Sequence, residues 1–199
     1  MSAIVLWRHA PTPDNEAGKL QGRRDGHLDA AGRERARWAA ERIVALGGRE
    51  MRIVSGPLAR ARETAQVLAD LVGAPVTIDD AFNQRSYGAW EGLTWDEARQ
   101  QWPEAYAQWE RGVDPHIPGW EGQAAVAVRV GEALERIWDD EVPAVVVSHG
   151  SPITLGMLHL IGQPASSRAL GRVPHAACAV LRRVPSGAMH IDAFGLGGD

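Results

Sequence analysis

The sequence predicts an α/β layered domain around a mainly parallel sheet, and three observations carry that expectation. Short continuous runs rich in β-branched residues, AIVLW at 3–7 and AVVVS at 144–148, read as strands buried on both faces. Amphipathic stretches of helical period lie between such runs, so strand and helix alternate along the chain. The 199 residues, 45% hydrophobic and 23% charged, suit one domain over 1–199 with a single core.

The elements follow in order. After the strand at 3–7, a helix is expected over 30–47, with Asp29 as N-cap and Gly47 as its stop. REMRIVSG (49–56) supplies another central strand. PLARARETAQVLADLVG (57–73) reads as a helix with Pro57 in its first turn and Gly73 as its stop, and APVTID (74–79) as a further strand. Residues 80–120, rich in Trp, Gly and Pro, resemble no regular βα unit and are expected to form a helical insertion or lid beside the site. A helix over 121–139 precedes the strand at 144–148; ACAVLRRV (177–184) and AMHIDAF (188–194) form a terminal pair joined by PSG. Of the eight tryptophans, Trp38 and Trp138 sit at helical core spacing and are read as packing anchors. Tryptophans 90, 95, 102, 109 and 120 either pack helices or line an aromatic pocket.

Composition excludes several function classes. A net charge of −4 without a Lys/Arg run argues against nucleic-acid binding. No apolar stretch approaches about 18–20 residues and the N-terminus lacks the pattern of a signal peptide, so no membrane association and a cytoplasmic location are expected. Cys178, the only cysteine, can form no intramolecular disulfide and is read as a small core hydrophobe. Asp14, Glu16 and Asp25 are scattered, and His27, His116, His159, His175 and His190 lack ligand spacing such as HExxH, so neither metal nor cofactor is expected.

Ligands of parallel α/β sheets bind beyond the carboxyl ends of the strands. Three such junctions carry candidates: Arg8-His9, Ser55 with Arg60 one helical turn on, and Ser148-His149-Gly150. Guanidinium forks match phosphate oxygens, and imidazole supplies a nucleophile or a proton, so phosphoryl transfer is the chemistry they suit.

RHAPTPDN (8–15) resembles the RHG-x-T-x-x-N opening of the histidine phosphatase superfamily, the phosphoglycerate-mutase-like family, with Ala10 in place of the glycine. QGRRDGHLDAAG (21–32), SGPLARARETA (55–65), YGAWEGLTWDEA (87–98) and VVVSHGSPI (145–153) resemble its later motifs in order. The resemblance implies a three-layer αβα sandwich and hydrolysis of a small phosphorylated metabolite by a chain acting as monomer or homodimer. His9 would form a phosphohistidine, while Arg8, Arg60 and His149 hold the phosphoryl oxygens. Asn15, Gln21, Gly22, Tyr87 and Gly150 match its substrate contacts, and His175 a position that often carries asparagine behind the site. Gln84 stands where the family has the glutamate that protonates the leaving oxygen, and a carboxamide cannot do so. Three explanations stay open: a leaving group of low pKa, a substitute acid such as Glu91 or Glu121, or a phosphate-binding relative with little turnover. A mutase-like phosphotransferase is the alternative activity, although the arginine-rich insertion of the mutases is not evident in 95–118.

Overall fold

A computed structural model describes residues 3–138 and 141–197 and contains one sheet in the order β3-β2-β4-β1-β5-β6. The strands are β1 (Ala3–Arg8), β2 (Arg52–Ser55), β3 (Val76–Ile78), β4 (Ala144–Ser148), β5 (Cys178–Arg183) and β6 (Met189–Leu196). The first four run parallel; β5 and β6 extend the sheet antiparallel beside β1. After β1 the chain crosses to β2 and β3, then returns with β4 between β1 and β2. β1 and β4 therefore end side by side, Arg8 opposite Ser148, and their connections leave in different directions, which opens a crevice there.

Helices α1 (Pro13–Glu16), α2 (Ala30–Gly47), α3 (Ala59–Val72), α4 (Trp95–Gln101), α5 (Pro103–Glu110), α6 (Gln123–Ile137) and α7 (Gly150–Leu160) complete the chain. Apolar faces of α2 and α3 bury one side of the sheet around Trp7, Ile53 and Leu68. Those of α6 and α7 bury the other around Leu6, Val146 and Leu134, which makes the three layers.

Local chemistry sets most helix boundaries. Asp29 caps α2 by accepting the Gly32 N–H at 2.8 Å. Gly32 also lets α2 approach the loop after β1, because a Cβ there would lie 2.4 Å from the Pro11 carbonyl oxygen. The α2 stop falls on Gly48, with φ of +80°, one residue beyond the expected Gly47. Gly73 ends α3 in the left-handed conformation. Pro57, expected in the first turn of α3, precedes the helix; the cap comes from Asp25, whose Oδ1 accepts the Ala59 N–H at 2.7 Å. The helix expected over 121–139 spans Gln123–Ile137, and Asp139 lies outside the described residues.

Trp38 corrects another expectation. It is 47% exposed with the Arg42 guanidinium 4.7 Å over its ring, because the buried face of α2 belongs to Ala36, Ala39, Ala40 and Ile43. Trp138 is half-buried against the α6–α7 core. Between 80 and 120 the chain makes two 3-10 turns, α4 and α5, and its tryptophans pack on one another around buried Trp90, with Trp95 stacked on Trp109 at 4.3 Å.

Close approach of α6 and α7 depends on Gly156, where a Cβ would lie 2.4 Å from Val130 Cγ1. Gly156→Ala should cost about 1–3 kcal/mol of unfolding free energy in urea titrations through overpacking. Gly47→Ala, in a helical position with no atom near its Cβ, should be neutral or stabilising by up to about 1 kcal/mol.

Candidate active site

β1 delivers Arg8 and His9 to the crevice on a rigid backbone: the Arg8 N–H donates to Ala177 O at 3.0 Å and the His9 N–H to Ser148 O at 2.9 Å. The next N–H, of Ala10, donates to Thr64 Oγ1 of α3 at 3.1 Å, and that hydroxyl donates to Arg60 O. The same bonds that pin the loop after β1 thus place the helix carrying Arg60.

The His9 tautomer follows from its partner. Its Nδ1 lies 2.7 Å from the Ala10 carbonyl oxygen, which can only accept, so Nδ1 carries the proton and Nε2 the lone pair. Burial, then the charges of His149, Arg60, Arg8 and His175, hold its pKa well below the ordinary histidine value. The His149 ring stands 5.0 Å from that of His9, centroid to centroid. It too is buried, and desolvation followed by the Arg60 and Arg8 charges keeps it neutral.

Both arginines bond to uncharged groups. Arg8 Nη1 donates to Val173 O at 2.8 Å and Nη2 to His175 Nε2 at 2.5 Å. His175 is therefore neutral with its lone pair on Nε2, and its pKa is lowered to about 3 by burial and then by Arg8. Arg60 Nη1 and Nη2 donate to the Arg24 and Gly22 carbonyls, each at 2.8 Å. Burial lowers each guanidinium to about 10, leaving both charged at neutral pH. Gly150 brings α7 against Arg8, since a Cβ there would come within 3.3 Å of the guanidinium carbon.

The remaining predicted residues lie around this cluster. Gly22 has φ of +52°, and a Cβ on it would fall 2.1 Å from a Glu91 carboxylate oxygen, so glycine is required where the chain offers its carbonyl to Arg60. Gln21 donates through Nε2 to Thr12 Oγ1, whereas Asn15 uses its Oδ1 to accept the Thr12 N–H and hydroxyl. The Tyr87 hydroxyl pairs with Ser151 Oγ at 2.8 Å. Gln84 is buried, with its Oε1 accepting the Arg85 N–H at 2.9 Å.

Glu91 and Glu121, the candidate substitute acids, serve as acceptors. Glu91 Oε1 accepts from the Arg23 N–H, the Tyr87 N–H and Ser86 Oγ. Glu121 binds Arg129 through both oxygens and Arg23 through one. Sequence reasoning missed Asp25, Thr64, Glu91 and Glu121 as supports, because each acts through contacts distant in the chain. His175, read among the surface or core histidines and only hinted at behind the site, sits 5.3 Å from His9. Arg8 Nε, Arg60 Nε, Gln21 Oε1 and both nitrogens of His149 are buried without a hydrogen-bond partner, a set dominated by groups that bind an anion.

Residues 4–192 match the histidine phosphatase superfamily (branch 1). A glucosyl-3-phosphoglycerate phosphatase of Mycolicibacterium vanbaalenii is 34% identical over 173 residues, 82% of this chain and 76% of that protein. A bifunctional protein of Mycobacterium tuberculosis is 33% identical over 154 residues, 76% of this chain, which spans only 42% of that relative's length. The solved structure of a mycobacterial glucosyl-3-phosphoglycerate phosphatase complexed with VO3 is similar with a TM-score of 0.87 at 30% identity, covering 98% of this chain and 100% of that one.

The three clustered histidines make a prediction about stability. Folded, His9, His149 and His175 stay neutral; unfolded, they titrate near 6.5. Their depressed values mean that the unfolded chain binds more protons below that pH, so stability is full above about pH 6.5 and falls as pH drops. Each ring contributes up to about 1.4 kcal/mol per pH unit, and urea unfolding at neutral and mildly acidic pH should show it. His175→Asn should reduce the slope by about one proton.

Proposed function

The chain belongs to the histidine phosphatase superfamily, and from that premise we propose that it hydrolyses a small phosphorylated metabolite through a phosphohistidine at His9. The observation that carries this reading is the His9 tautomer: its Nδ1–H is spent on Ala10 O, so the nucleophilic lone pair on Nε2 is fixed in a cluster of unpaired anion-binding groups.

Nε2 attacks phosphorus, the P–N bond forms and the ester P–O bond breaks with its electrons passing to the leaving oxygen. Arg8, Arg60 and neutral His149 hold the three non-bridging oxygens as their charge redistributes. Water then attacks phosphorus, returns the electron pair to Nε2 and releases inorganic phosphate. Gln84 hydrogen-bonds but delivers no proton, and Glu91 Oε1 and both oxygens of Glu121 already accept from N–H and O–H donors, which favours a leaving oxygen that takes its proton from water. Leaving groups of low pKa are favoured by that arrangement over simple alkoxides.

Residues 80–120 act in this reading as a cover over the site, supported by the Tyr87–Ser151 bond and by the ion pair of Arg23 with Glu121 just beyond them. A cytoplasmic location accords with one buried cysteine and no disulfide chemistry, and we take the working unit to be a monomer or homodimer. A mutase-like transfer uses the same phosphohistidine and differs only in the acceptor.

Labelled phosphate from a turned-over ester should appear on His9 as an acid-labile adduct that chases away on dilution, and His9→Ala should abolish both label and turnover. A stable label without release would instead identify a low-turnover binding protein. Gln84→Glu should raise hydrolysis of alkyl phosphates by roughly 10²–10⁴-fold and bring a bell-shaped pH profile, while aryl phosphates gain far less.

A further inference from the structure

On the side of the sheet away from α6 and α7, the helical layer stops short. α2 and α3 cover β1, β4 and β2, whereas β5 and β6 carry the sheet on past α2. Alternation along β5 turns Ala179 and Leu181 into the α6–α7 core and Cys178, Val180 and Arg182 toward α2. A cavity of about 480 Å³ results between α2 and the β1–β5 pair, in the size range of small-molecule sites. Val5, Ile43, Met51, Val145 and Val180 form its wall, and Leu46 and Leu196, 78% and 41% exposed, its rim. Neither Arg8, His9, Arg60 nor His149 lines it, so it is distinct from the anion-binding cluster.

Its chemistry says what would fill it. None of the described residues lining it has a buried side-chain polar atom without a partner, and the Ala176 carbonyl at one end is taken by Trp7 Nε1 at 3.0 Å. A void of that kind offers little to water and much to hydrocarbon. Its length follows from strand register: the same-face pairs Ala3–Arg182, Val5–Val180 and Trp7–Cys178 span about 13 Å along β1, a slot for an extended alkyl chain. At the mouth stands a charge without a counterpart. Arg182 pairs with Asp192 at 2.8 Å, but exposed Arg42 rests over the Trp38 ring and forms no ion pair among the described residues, and no described acidic residue lines the cavity. A second copy related by a two-fold axis would set this recess against itself, concave on concave, and fill neither.

We propose that this cavity binds a free medium-chain fatty acid, with the alkyl chain along Val5, Val145 and Val180 and the carboxylate on Arg42. Burial of the chain supplies the affinity, because it removes apolar surface of both partners from water. The guanidinium fork of Arg42 matches the two oxygens and single charge of the head group and fixes which end enters first.

Calorimetric titration with decanoate, kept below its micellar concentration, should show one saturable site, and decanol should occupy the same site. Arg42→Gln should weaken decanoate about tenfold, as for loss of a charge-assisted bond, and leave decanol unchanged. Val180→Trp, which fills the cavity, should abolish binding of both. Cys178 is the only cysteine and lines the cavity, so decanoate should also slow its labelling by phenylmercury in proportion to occupancy. That readout needs no variant and decides the matter if Val180→Trp fails to fold. Absence of saturable decanoate binding, binding that survives Val180→Trp in a folded chain, or an affinity that Arg42→Gln leaves unchanged overturns the proposal. A dimer in sedimentation that Val180→Trp dissociates overturns it as well, because a second copy then covers this face. None of these measurements uses turnover, so their outcome is separate from that of the phosphatase reading.

Discussion

Arg8 and Arg60 hold two positive charges in the interior on partners that carry none, and the rest of the site is arranged to make that possible. A carboxylate partner would satisfy the guanidinium groups more strongly, but it would cancel the field that an incoming phosphate has to feel. Carbonyl oxygens of Gly22, Arg24 and Val173 and the lone pair of His175 supply hydrogen bonds without charge. The carboxylates near Arg60 are turned elsewhere: Asp25 bonds the Ala59 and Gly26 N–H groups, and Glu91 those of Arg23 and Tyr87. They lend Arg60 a distant favourable potential, as its surroundings show, while leaving its Nε unpaired.

That constraint also explains the histidines. Three imidazoles beside two fixed cations cannot become imidazolium without repulsion, and burial adds to the penalty. Neutrality is what a nitrogen nucleophile needs at His9 and what an acceptor needs at His175. On the proposed reading, the electrostatic environment that would recruit an anion also sets the protonation state of the ring that would attack it, and one set of groups meets both requirements. The N-terminus of α7, reached through Gly150, adds its own partial positive charge.

Much of this was legible in the sequence because it is local. Apolar runs and helical period give the strands and the layers, and Asp29 and Gly73 mark helix ends through side-chain or backbone chemistry within a few residues. Arg8-His9, Arg60 and His149-Gly150 could be placed at one sheet edge because each follows a parallel strand. What could not be read is whatever depends on contacts across the chain. Asp25 caps a helix that begins 34 residues later, so Pro57 looked like the start of α3. Trp38 has core spacing in one register, but small alanines allow α2 to pack closer on another face. Glu91 and Glu121 read as candidate proton donors and not as anchors, because the Arg23 they both bind lies 68 and 98 residues away.

The engagement of those two glutamates bears on Gln84. Residues 83–91 pass over the strand ends held by Arg23 and Arg129, with the Gln84 carbonyl itself accepting from Arg23 Nε at 3.2 Å. Glu91 and Glu121 are the anchors of that loop, and freeing either to carry a proton would release the segment that positions Gln84 and Tyr87. Structural duty and proton transfer compete at both oxygens of Glu121 and at Oε1 of Glu91. An amide at 84 avoids the conflict by requiring no proton there, and it adds no negative charge to compete with the phosphate for Arg8 and Arg60. On the reading proposed above, a carboxamide at 84 forgoes a proton donor and keeps the positive field undiluted, and a leaving group that departs as an anion is the chemistry in which the second would outweigh the first.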